Sequence, residues 1–193
     1  MRTMTNEAAA QHVAKFLTAR RSVGPKHLTL PAPDAAALEL AAAAARTAPC
    51  HGERFPVRFA VIENRERLAD MFVSTLADDA DEALRAKARS KAMKAPMQIA
   101  VLVDLTDTAD ERDRLERFTT AGAALMNFLH VLQGAGFAAK TVSGRAFKNT
   151  MGLFDAENEY LLAFIMCGTP DEAAQAELKT PRPDAEPIVS FWR

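Results

Sequence analysis

Apolar positions along this chain follow two rhythms: a spacing of three to four residues, which predicts helices, and short continuous runs, which predict strands. From Asn6 to about Arg21, Val13, Phe16 and Leu17 share one helical face, and Asp34 caps an alanine-rich helix running to about Arg46. Pro49, Gly52 and Pro56 punctuate the next loop, and Val57 to Ile62 then has strand composition. Asn64 caps another helix, a charged helix follows, Met97 to Val103 reads as a buried strand, and Glu111 to about Gln133 forms the longest helix. Along that helix Leu115, Phe118, Gly122, Leu125, Leu129 and Leu132 alternate steps of three and four, which places them on one stripe. The stripe belongs either to the core or to a subunit interface.

Phe137 to Val142 and Tyr160 to Cys167 supply two more strands, the second ended by Gly168-Thr169-Pro170. Pro181, Pro183 and Pro187 make the tail, residues 171–193, extended. Its apolar end, Ile188 to Trp192, is expected to add to a sheet edge in its own subunit or in a partner. No repeat or linker interrupts the pattern, so residues 1–193 read as a single domain of the α+β or α/β class.

Composition narrows the partners. Hydrophobic residues make up 49% of the chain and the formal net charge is −1. That is enough material for a core and too little basic excess for nucleic acid or an anionic membrane surface. The cations Arg85, Lys87, Arg89, Lys91 and Lys94 follow Asp78, Asp79, Asp81 and Glu82, so the stretch reads as a solvated helix face of mixed charge. Cys50 and Cys167 do not form a disulfide framework, no apolar run approaches a membrane span, and no signal-like N-terminus is present; a cytoplasmic protein is expected. His12, His27, His51 and His130 lack ligand spacing, so no metal site is expected.

Candidate chemistry is sparse. Arg20-Arg21-Ser22 offers two guanidinium forks and a hydroxyl within one turn, which suits a phosphate monoester; the alternative is a solvated basic helix end. Glycine-rich phosphate loops are missing, so any phosphate must be held by side chains. Cys50 beside His51 suggests a thiol–imidazole pair, but adjacent side chains generally point apart.

Five segments occur in order: Arg20-Arg21-Ser22; Ala48-Pro49-Cys50-His51-Gly52 with Pro56 and Phe59; Ala121-Gly122-Ala123-Ala124; Thr141-Val142-Ser143-Gly144; and Cys167-Gly168-Thr169-Pro170. From about Ala14 to Pro170 this order resembles the nitroreductase family of flavoproteins, in its short single-domain subgroup. The resemblance implies an α+β fold with a central, mainly antiparallel sheet surrounded by helices. It further implies a homodimer with two interfacial sites, one FMN in each, and ping-pong transfer from NAD(P)H to a small electron-poor acceptor such as a nitro compound, quinone or enone. A competing reading is a flavin- or phospholigand-binding protein of the same fold with weak or lost redox activity.

By position, the resemblance assigns Arg20, Arg21 and Ser22 to the FMN phosphate and ribityl chain, Thr47 and His51 to a second flavin-contacting segment, and Thr141, Val142 and Ser143 to a third. His51 either donates to flavin or substrate, or satisfies loop backbone groups. The third segment departs from the subgroup, which usually reads Trp-Arg-Ser or Trp-Arg-Thr there. Val142 cannot make arginine's charge-assisted hydrogen bonds, a loss of about 1.5–3 kcal/mol. Arg145 stands three residues on as a candidate replacement. Val57 also replaces a common tryptophan, and the region from Arg145 to Asn158 is shorter than in the family.

Overall fold

The computed structural model describes residues 2–51, 54–144, 147, 149–177 and 189–192. In chain order, α1 spans Arg2–Ala19, β1 Leu28–Thr29, α2 Ala35–Ala45, β2 Val57–Val61, α3 Arg65–Val73 and α4 Glu82–Ala92. They are followed by β3 Met97–Asp104, α5 Glu111–Gly134, β4 Ala138–Ser143, β5 Glu159–Pro170 and α6 Glu172–Glu177. The caps explain the boundaries: Asp34, Asn64, Asp81 and Asp110 each accept a hydrogen bond from the backbone N–H three residues on, at the starts of α2, α3, α4 and α5.

The sheet is antiparallel at every ladder, in the order β1-β5-β3-β2, with β4 also pairing β5. β5 is long enough to serve two neighbours on its outer edge: β4 along Ala163–Gly168 and β1 at Thr169 and Pro170. β3 is buried on both faces, and its alternation sorts the core. Ile99 and Val101 join Ala41, Ala45, Phe128 and Leu132 under α2 and α5, while Ala100 and Leu102 join Leu68, Met71, Phe72 and Ala88 under α3 and α4. Phe59 stacks on Phe128 at 4.2 Å between centroids, tying β2 to α5.

One expectation is corrected. The core face of α5 is Thr120, Ala121, Ala124, Phe128, Leu129 and Leu132, whereas Leu115 is 57% exposed and Gly122 is exposed. The C-terminal half of the predicted stripe, Leu129 and Leu132, is buried with Ala124 and Phe128, and Leu125 packs against them, so only the N-terminal half of the stripe turns outward. The helix before Arg20 ends at Ala19, and its apolar residues Val13, Phe16 and Leu17 stay largely in solvent. Val189, Phe191 and Trp192 are exposed and in no strand; Ile188 and the three tail prolines lie outside the described residues.

Candidate functional site

The outer edge of β4 organises the site. Beyond α1 the chain runs alongside this edge, with a parallel bridge between Ser22 and Ala139 and a hydrogen bond from Val23 N–H to the Ala139 carbonyl at 3.1 Å. Arg20 and Arg21 line a cavity of about 240 Å³ together with Leu129, Gln133, Ala138 and Ala139. Gln133 Oε1 is buried there and accepts no hydrogen bond, while its Nε2 donates to the Phe16 carbonyl at 3.3 Å. An acceptor left unsatisfied costs about 1–3 kcal/mol, so it marks a place where a ligand hydroxyl would be welcome.

Arg21 already has a structural task. Its Nη1 donates to the Thr18 carbonyl at 2.6 Å and to the Arg20 carbonyl at 2.9 Å, satisfying groups exposed where α1 ends. Nearby, burial and the positive charge of Arg20 press the His130 imidazole below its ordinary value, against a smaller opposing hydrogen bond to the Leu17 backbone.

Thr141, Val142 and Ser143 continue along β4, and Val142 is 36% exposed. Gly144 closes the strand where no side chain fits: a β-carbon would stand 1.8 Å from the Leu161 carbonyl oxygen. Arg145 lies outside the described residues.

Thr47 and His51 sit elsewhere. The Thr47 hydroxyl donates to the Ala44 carbonyl at 2.8 Å and accepts from Asn127 Nδ2 at 3.2 Å. The loop beyond it is pinned by Thr120, whose hydroxyl donates to the Pro49 carbonyl at 2.8 Å. His51 is exposed and opens on a polar cavity with Arg54, Asp104, Asp113 and Arg117. Burial works to raise the Asp104 carboxyl, but hydrogen bonding with Thr106 and the charges of Arg54 and Arg117 outweigh it and hold it below the usual range. Arg117 of this cavity and Gln133 of the arginine cavity are both on α5, separated by about 24 Å at 1.5 Å per residue. Within one chain, His51 and the arginine pair do not share a cavity.

The cysteines are uninvolved. The Cys50 thiol faces the His51 and Arg54 carbonyls at 3.5 and 3.8 Å, not the imidazole. Burial pushes the Cys167 thiol up to about 12, which keeps it protonated and unreactive.

Residues 17–169 match the model of the nitroreductase family. The chain belongs to that family. A Haemophilus influenzae protein provisionally named an NAD(P)H nitroreductase is 33% identical over 172 residues, covering 85% of this chain and 91% of its own. A nitroreductase-like protein from Bacillus cereus has the same fold, with a TM-score of 0.71 at 23% identity over 91% of this chain and 90% of its own. So does the FMN-dependent nitroreductase of Mycobacterium smegmatis solved with NADPH, with a TM-score of 0.68 at 16% identity over 96% and 100%. Gln133, whose Oε1 has no partner and which lines the arginine cavity, carries no signal in the sequence of a helix, whereas period-two alternation sets Lys140 on the face of Val142.

Proposed function

We propose that this nitroreductase-family protein is an oxidoreductase that binds FMN and uses NAD(P)H to reduce a small electron-poor acceptor. The observation that carries the proposal is the cavity combining Arg20, Arg21 and the orphaned Gln133 Oε1 beside Ser22 and the β4 edge. Cations and a hydroxyl suit a phosphate monoester, and a lone buried acceptor suits a polyol chain, so these residues fit a flavin mononucleotide. Support for the nucleotide comes from the name of the Haemophilus relative and from the NADPH complex of the mycobacterial enzyme.

Bound FMN supplies a two-electron carrier able to accept hydride from a reduced nicotinamide and pass it to an acceptor. This chain's part is to hold and orient it. Arg20, Arg21 and Ser22 grip the phosphate end, Thr141, Val142 and Ser143 present the β4 edge to the remainder, and Gly144 keeps that edge tight against β5. Donor and acceptor visit one open position in turn, a ping-pong scheme, and the acceptor is a nitro compound, quinone or enone.

His51 and Thr47 join this site from a second copy of the chain. The roughly 24 Å between the two cavities along α5 motivates the dimer, because one flavin does not reach both from within a single subunit. The unburied stripe of Leu115, Gly122 and Met126 on α5, with Val13 and Leu17 on α1, offers apolar surface for the partner. Among the described residues no helix is long and apolar enough to cross a membrane.

A second reading has one observation in its favour. Val142 is apolar where the subgroup carries arginine, which suits a protein that binds a flavin or another phosphorylated ligand with little turnover. Anaerobic mixing separates the two. Bleaching of FMN-loaded protein by NADPH, followed by reoxidation with a nitroaromatic or quinone, supports the enzyme. A bound flavin that stays oxidised sinks it and leaves the binding protein.

A further inference from the structure

One amide joins the arginine cavity to the end of α1. That helix stops at Ala19, so the carbonyls of Phe16, Leu17 and Thr18 have no partner within it. Three side chains take them up. Gln133 Nε2 donates to the Phe16 carbonyl at 3.3 Å, the His130 imidazole bonds the Leu17 backbone, and Arg21 Nη1 donates to the Thr18 carbonyl at 2.6 Å. The Phe16 ring tilts against His130 at 6.1 Å between centroids and lies over Gly134, where a β-carbon would stand 3.6 Å from it. Residues 130, 133 and 134 share one side of α5, and they dock α1 by its last turn. Residues 6–19 are all exposed, so burial does little to hold α1 and these few contacts weigh more.

The Gln133 amide serves both sides. The Phe16 carbonyl only accepts, so Nε2 must meet it and the amide cannot turn over. Oε1 is thereby fixed as a buried acceptor in the wall of the arginine cavity, with no partner among the described residues. The Nε2 bond, at 3.3 Å, is longer than the usual range of about 2.7–3.2 Å. A hydroxyl donating to Oε1 draws electron density toward the oxygen and makes the Nε2 N–H a better donor, a cooperative gain of roughly 10–30% per bond. A chain of hydroxyls in the cavity therefore pulls on α1 through the amide, whereas a bare anion held by the arginines does not.

We propose that Gln133 is the positioning residue that ties occupancy of the arginine cavity to the docking of α1. A hydroxyl of the ligand's chain donates to Oε1, and the polarised amide then locks the last turn of α1, with Arg20 and Arg21 just beyond it, onto α5. The proposal rests on the FMN reading above and adds to that site a coupling between the ribityl chain and the helix that carries the clamp.

The test follows amide hydrogen exchange in residues 13–22 by mass spectrometry, for wild-type protein and Gln133→Met, alone and saturated with FMN, riboflavin or inorganic phosphate. Riboflavin keeps the hydroxyl chain and lacks the phosphate, whereas inorganic phosphate supplies the charge alone. Expected in wild type is exchange slowed roughly fivefold by FMN and by riboflavin, the scale of one neutral hydrogen bond, and less than about twofold by phosphate. In Gln133→Met saturated with FMN the slowing falls below about twofold. Riboflavin bound to wild type without slowing exchange overturns the proposal, and equal slowing by phosphate overturns it too by giving the coupling to the arginines. So does full slowing by FMN in Gln133→Met. The wild-type comparison decides the matter even where the variant folds poorly. Wild-type protein that binds neither flavin in a fluorescence titration defeats the FMN reading itself and the coupling with it.

Discussion

Replacing Gly144 with alanine tests whether the end of β4 is held as tightly as the proposed site needs. The added β-carbon would stand 1.8 Å from the Leu161 carbonyl oxygen and 2.7 Å from its carbonyl carbon. Both atoms are β5 backbone, so no side chain can rotate aside. Relief requires parting the strands where the Gly144 N–H donates to the Leu162 carbonyl at 2.9 Å. Overpacking of this kind costs about 1–3 kcal/mol, and a lost backbone hydrogen bond adds about 1 kcal/mol. Gly144→Ala should then lose about 2–4 kcal/mol, a fall in Tm of roughly 4–16 °C for a chain of this size. Urea denaturation followed by circular dichroism reads it. Gly24→Ala is the control: its backbone sits at φ −59°, ψ 144°, nothing lies within 4 Å of the new carbon, and a change within about 0.5 kcal/mol is expected. FMN affinity should fall with Gly144→Ala, since Thr141–Ser143 move with the strand end. Unfolding of Gly144→Ala within about 0.5 kcal/mol of wild type would refute the reasoning.

Five further outcomes are expected. Arg21→Ala weakens FMN binding by roughly ten- to a hundredfold, measured by fluorescence titration; affinity unchanged from wild type would remove Arg21 from the clamp. Phe128→Ala, which opens a cavity at a ring only 1% exposed and stacked on Phe59, costs about 3–5 kcal/mol in the same urea assay. His130 has a depressed pKa when folded, so the unfolded chain takes the proton first. Its contribution is therefore complete above the ordinary value of 6.5 and is lost as pH falls through the folded value, and His130→Gln flattens stability between neutral and mildly acidic pH. Carboxyls held low in the fold, Asp104 and Glu159 among them, remove further stability only as pH drops below about 4.5. Gly122→Ala, with nothing within 4 Å in its own subunit, lowers dimer affinity in sedimentation experiments because it thickens the proposed α5 contact.

Much of the scaffold was legible in the sequence because the signals are local. Asp34 and Asn64 announce helices through their caps, and the runs at Val57 and Met97 fall where β2 and β3 lie. What escaped depends on distant partners. The two-residue β1 exists only because β5 extends past β4 and leaves an edge at Thr169 and Pro170. Along α5 the stripe that periodicity selects is inner only from Leu125 to Leu132, because α2 packs there, while Leu115 turns outward. The order of motifs singles out Arg20-Arg21-Ser22 as a candidate phosphate clamp. The hydrogen bonds that occupy Arg21, and the register that brings Ser22 to Ala139, could not be read there, because each is set by how separate elements dock.

The central claim is that two copies of this chain together build sites for FMN. Native mass spectrometry of FMN-reconstituted protein tests it most directly. The account predicts a dimer of the 21.0 kDa chain carrying two FMN molecules. A monomer carrying one FMN, or a dimer that retains none, would contradict it.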